Sequence, residues 1–127
     1  MTVPEQWHEQ SRVDIDAARV MFDTGRFVFV PYFCQQAIET ALKAIIVEQT
    51  GKLPPRVHNL IQLAEKAGIH ADEKRQDLLR SLTEYYVDSR YPGVQPTPES
   101  GLARAQAEGF LNATEGLLKW LTTPKKL

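Results

Sequence analysis

The stretch Val30-Pro31-Tyr32-Phe33-Cys34-Gln35-Gln36-Ala37-Ile38-Glu39-Thr40-Ala41-Leu42-Lys43-Ala44-Ile45-Ile46-Val47-Glu48-Gln49-Thr50 decides the fold. Laid out at about 100° per residue, its apolar side chains cover an unusually wide arc. Phe33, Cys34, Ala37, Ile38, Ala41, Leu42, Ala44, Ile45 and Ile46 all belong to it. A helix apolar around so much of its circumference needs neighbours on several sides, so it is the central helix of a bundle. Pro31 suits its first turn, where a missing N–H costs nothing. Only a narrow polar stripe is left: Gln36, Glu39, Thr40 and Lys43.

The flanking segments carry the same period. From about Pro4 to Thr24, Trp7, Ser11, Ile15, Ala18, Met21 and Phe22 recur at steps of three and four, and Gly25 supplies a stop. A short third helix is predicted over about Val57 to Ala67, buried through Val57, Leu60, Ile61 and Ala64. Gly68 followed by apolar Ile69 reads as its Schellman ending. A fourth runs from Asp72, a plausible N-cap, to about Ser89, with Leu78, Leu79, Leu82, Tyr85 and Tyr86 as its stripe. Thr97-Pro98-Glu99 has the order cap, proline, acid that opens a helix. That fifth helix extends to about Leu121, with Ala103, Ala107, Phe110, Leu117 and Leu121 inward. The expectation is an all-α, up-and-down antiparallel bundle of about five helices.

Composition narrows the function classes. The 127 residues are of single-domain size, so residues 1–127 are read as one domain. Cys34 is the only cysteine, which excludes a disulfide scaffold. His8, His58 and His70 are the only histidines, and no metal-ligand spacing is present, so neither metal nor cofactor is expected. Fifteen basic against sixteen acidic residues give a net charge of −1, unlike a generic nucleic-acid clamp. No apolar run approaches the ~20 residues of a membrane span, and the N-terminus has no signal-peptide pattern. The expected setting is soluble, reducing and cytoplasmic, with no membrane partner.

Candidate chemistry is sparse. Gln36, Glu39 and Lys43 share one helix face, with Glu39 to Lys43 in the favourable i,i+4 order. Spacing alone favours a solvated ion pair over the floor of a pocket. His58, after Pro54-Pro55-Arg56, sits where it can cap, pack, or meet an anion at a helix N-terminus. Arg90 before Tyr91-Pro92 complements a helix C-terminus, or holds a phosphate beside an oriented ring; the residues support both equally. Gly101, Ala105, Gly109, Asn112 and Gly116 form a line of small side chains on the fifth helix, either solvent-facing or open to a close neighbour. Cys34, within the apolar arc, reads as an inert small hydrophobe.

Taken in order, these segments resemble the HEPN domain family. Asp16-Ala17-Ala18 and Gly25-Arg26-Phe27 are similar to its early helix and glycine-aromatic turn. Cys34-Gln35-Gln36-Ala37-Ile38-Glu39-Thr40-Ala41-Leu42-Lys43-Ala44 resembles its glutamine–glutamate–lysine helix. Pro54 to Leu63 looks like its histidine-leucine segment, and Tyr85-Tyr86 to Arg90-Tyr91-Pro92 like its arginine-tyrosine-proline signature. The resemblance implies a helical bundle that forms a homodimer or higher homo-oligomer. It also implies a ligand site carried by Gln36, Glu39, Lys43, His58, Arg90 and Tyr91. The placement of Lys43 on the stripe, His58 one loop beyond the second helix and Arg90 at the end of the fourth predicts that these three line one polar pocket.

Members of the family accompany a minimal nucleotidyltransferase, some in toxin–antitoxin pairs. Others bind nucleotides or act as metal-independent ribonucleases. The ribonuclease branch pairs an arginine with a histidine four to six intervening residues later. No Arg–His pair here has that spacing, so no catalytic residue is assigned. The leading expectation is a non-catalytic dimeric module that binds a nucleotide or a nucleotidyltransferase partner. A ribonuclease with a non-standard site from His58 and Arg90, and a structural adaptor without ligand, are the alternatives.

Overall fold

The computed structural model describes residues 1–88 and 103–123. Among them the chain forms five α-helices: α1 (Val3–Asp23), α2 (Val30–Thr50), α3 (Leu60–Lys66), α4 (Glu73–Asp88) and α5 (Arg104–Thr122), with a 3-10 turn at Phe27–Phe29. The all-α bundle read from the sequence is the observed architecture.

Local chemistry sets the ends. Thr2 and Glu5 cap α1 reciprocally: the Thr2 hydroxyl accepts from the Glu5 N–H at 3.2 Å, and the Thr2 N–H donates to the Glu5 carboxylate at 2.8 Å. At the far end Gly25 takes φ +77°, which lets the Gly25 and Arg26 N–H groups reach the carbonyls of Phe22 and Met21. Gly68 closes α3 in the same way, with Ile69 N–H on the Ala64 carbonyl at 2.9 Å.

Two predicted starts are corrected. α3 begins at Leu60 rather than Val57, because Asn59 is its cap: the Asn59 side chain accepts from the Gln62 N–H at 3.1 Å. Val57 and His58 therefore belong to the preceding segment. α5 begins at Arg104, after Ala103 in extended backbone, and Gln106 accepts from the Ala103 N–H at 3.1 Å. Thr97-Pro98-Glu99 lies outside the described residues. Asp72 caps α4 as expected, its carboxylate accepting from the Arg75 N–H at 3.3 Å.

α2 packs against every other helix. Trp7 lies over Lys43, Asp14 meets Thr40, and His8 pairs with Glu48, so α1 runs antiparallel to α2. Ile38, Leu42, Leu60, Leu63 and Leu82 are fully buried, with small Ala18, Ala37 and Ala107 where helices come close. Leu111 and Thr114 are buried on α5, whereas Ala103, predicted inward, is exposed. The wide apolar arc of α2 is thus consumed within one chain and does not itself call for a second copy. Ala105, Gly109, Asn112 and Gly116 all face outward, and a Cβ at either glycine would meet nothing. Burial pushes the Cys34 thiol up to about 12, so it stays protonated and inert.

Candidate functional site

The polar stripe of α2 is not solvated, contrary to the reading that spacing favours. Glu39 is 5% exposed and Lys43 6%, because α1 lies along one side of the stripe and the His58 segment along the other. Removing two charges from water is tolerated only when they are paired and hydrogen-bonded. Here Glu39 is the hub. Its carboxylate accepts from Lys43 Nζ at 3.0 Å, from Gln35 Nε2 at 3.0 Å and from His58 Nδ1 at 2.9 Å. Lys43 also lies 5.7 Å from the centre of the Trp7 ring.

Gln35 organises the rest. Its amide nitrogen also donates to the His58 carbonyl at 3.0 Å, and its oxygen accepts from Gln36 at 2.8 Å. The backbone and ring of His58 are therefore both fixed from α2. The ring remains about half exposed. Tyr86 packs on it at 5.2 Å between centroids, and Tyr32 stacks on Tyr86 at 5.6 Å and 19°.

The network continues under α1. Thr40 donates to Asp14 at 3.2 Å, Gln10 donates to the same carboxylate at 2.9 Å, and Ser11 donates to the Ala37 carbonyl at 2.7 Å. Burial raises the Asp14 carboxyl above its ordinary value, opposed by the hydrogen bonds from Gln10 and Thr40. A raised acid binds its proton more tightly when folded than when unfolded. The charged form therefore costs stability as pH rises through the folded-state value, and acidification relieves that cost. Asp14→Asn is expected to be more stable than the parent at neutral pH, with a flatter stability profile on the acid side. Urea unfolding across pH reads both, and a destabilised variant would contradict the account.

Of the residues proposed from sequence, Glu39, Lys43 and His58 converge, and Gln36 joins through Gln35. Arg90 and Tyr91 lie outside the described residues. Sequence reasoning missed Asp14, Gln35, Trp7, Tyr32 and Tyr86 as members. Asp14 and Ser11 were visible as polar residues at helical spacing within the apolar face of α1. The stacked tyrosines carried no such signal, since only the approach of α4 brings Tyr86 onto Tyr32, and Gln35 is drawn into the cluster by the His58 carbonyl.

The start of the third helix has partners of its own. Leu60 N–H donates to the Thr83 hydroxyl at 3.2 Å, and Asn59 accepts from the N–H groups of Gln62 and Leu63. A separate groove of about 1050 Å³ runs between α1, the end of α2 and α5, floored by Ile15, Ile45, Leu118 and Leu121. None of the Glu39 cluster lines it.

A family model for the HEPN domain matches residues 4–126. The chain belongs to the HEPN family. Two solved structures share the fold of this HEPN domain. One is the crystal structure of TT1696 from Thermus thermophilus, with 23% identity and a TM-score of 0.81, covering 95% of this chain and 97% of that one. The other is ST0689, an archaeal HEPN homologue, with 24% identity, a TM-score of 0.76, and coverage of 95% and 96%. No curated protein matches the chain. Among the described residues no group of histidine, cysteine and carboxylate side chains could hold a metal ion, and no helix is long and apolar enough to cross a membrane.

Proposed function

We propose that this HEPN domain is a non-catalytic, self-associating module that binds a nucleotide at the edge of the Glu39 cluster, in the setting of a minimal nucleotidyltransferase partner of toxin–antitoxin type. The observation that carries the reading is the convergence of Glu39, Lys43 and His58 in one buried, fully partnered network with a single half-exposed ring at its rim. A purely structural ion pair would not need the imidazole. Tyr32, partly exposed and stacked on the buried Tyr86, adds an aromatic side chain of the kind bases stack on.

Titration of the parent with ATP and AMP tests the site. His58→Ala is the informative variant, because a half-exposed ring can be removed without emptying the core. Arg90→Ala tests the signature arginine, and loss of one charge-assisted contact is expected to weaken binding by about 1.5–3 kcal/mol. Affinities equal to the parent in both variants would remove the site.

Two further outcomes belong to this reading. Generic RNA incubated with the purified protein in chelator is expected to stay intact, because the ribonuclease Arg–His spacing is missing. Cleavage that His58→Ala abolishes would establish the enzyme alternative. Sedimentation at micromolar concentration is expected to show a dimer or larger species, supported by family membership and the exposed small-residue line of α5. A monomer throughout contradicts self-association.

A further inference from the structure

We propose that a second copy of this chain docks on the outward face of α1, with the two α1 helices antiparallel about a two-fold axis beside Ala17, so that Arg12 of each copy meets the partner's Asp23. This rests on the self-association in the reading above and names the surface that carries it.

α1 turns an apolar line to solvent. Val13 is 48% exposed and Val20 53%, and Ala17 is partly exposed between them. Steps of four and three keep the three side chains on one face of the helix. That face is opposite the one that buries Ile15, Ala18 and Phe22 in the bundle. β-branched residues are weak helix formers, so two valines on the wet side gain nothing from local propensity. Apolar side chains at steps of three and four are instead the seam against which another helix packs.

The charges along one edge of this line say what covers it. Glu9, Arg12, Asp16, Arg19 and Asp23 alternate in sign, all exposed or partly so. Arg12 pairs with Glu9 and, at 3.6 Å, with Asp16; Arg19 pairs with Asp16 at 2.6 Å and with Glu115 at 3.0 Å. Asp23 is exposed and has no ion pair among the described residues. It is the last residue of α1, whose last turn holds no basic side chain, so its charge stands unopposed at the negative end of the helix dipole. A cation from outside the chain would relieve it. A two-fold axis perpendicular to antiparallel helices brings the charged edge of one copy against the same edge of the other. With the axis between Ala17 and Ala18, Arg12 is level with the partner's Asp23 and Asp16 with the partner's Arg19. Val13 then lies within one helical turn of the partner's Val20. Each facing charge pair is opposite in sign. A parallel pair would set the charged edge against the neutral edge of Gln6 and Gln10 and leave Asp23 alone.

Sedimentation equilibrium of the full chain and its variants tests the surface. Val20 is half exposed, so Val20→Glu leaves the core intact; it is expected to weaken self-association by about tenfold or more. Arg12→Glu and Asp23→Arg should each weaken it, and the two together should return it to within about threefold of the parent. Asp23 lies about 16 Å further along the same helix than Arg12, out of reach within one chain, so this recovery requires the partner. Ala17→Cys, beside the axis, should form a disulfide-linked dimer on mild oxidation, and Asn112→Cys on the small-residue line of α5 should not. Cys34 is buried and takes no part. A double variant no better than the single ones, or a cross-link through Asn112→Cys and none through Ala17→Cys, overturns this surface and leaves self-association standing. A parent that stays monomeric at every concentration overturns both.

Discussion

Glu39→Ala is expected to lose about 3–5 kcal/mol of folding stability, the scale for breaking a buried ion pair from one side. Alanine removes the acceptor shared by Lys43, Gln35 and His58, each within 3.0 Å of the carboxylate. Lys43 is then a charge 6% exposed with no counter-ion, held between α1 and α2. It must lose its proton, draw in water, or push the helices apart. A net contact energy understates the loss, because the larger part is the desolvation of a charge left alone. The paired control separates these contributions. Glu39→Leu with Lys43→Met removes both charges at similar volume and is expected to recover most of the loss. Guanidinium unfolding of the three proteins checks the series. A Glu39→Ala loss under about 1 kcal/mol would mean that water reaches Lys43, and that the pair is a surface one after all.

The same residues show what could be read from the chain and what could not. The wide apolar arc of α2, the glycine stops at Gly25 and Gly68, and the Asp72 cap are local signals, and each sits where it was expected. Local signals failed at two helix starts. Asn59 captured the start of α3 from Val57, and α5 opens at Arg104 rather than at the proline-marked Thr97. The polar stripe was legible as a stripe but not as buried. Periodicity reports which residues share a face; it does not report what covers that face. Glu39 and Lys43 at i,i+4 would look the same on an exposed helix. Burial follows from Trp7 and the His58 segment, which arrive from elsewhere in the sequence. Family resemblance pointed to Gln36, Glu39, Lys43 and His58 where spacing alone did not, and it had nothing to say of Asp14.

Ile38→Ala is expected to lose about 2–5 kcal/mol, through the apolar surface removed and the cavity left behind. Ile38 sits at mid-length on the one helix that touches all the others, and none of its side chain reaches solvent. Its neighbours cannot easily collapse into the space. Ala37 and Ala41 are already small on either side along α2, and the stripe of α2 is pinned by the Ser11 and Asp14 bonds from α1. A site that relaxes poorly keeps its cavity, which places the loss in the upper part of the range. Ile38→Val deletes a single methylene and should cost about 0.5–1.5 kcal/mol. Leu53, 82% exposed in the loop after α2, is the reference: Leu53→Ala should change stability by less than about 0.5 kcal/mol. Chemical unfolding of the three variants tests the order. If Ile38→Ala falls near Leu53→Ala, α2 is not the centre about which the bundle is packed.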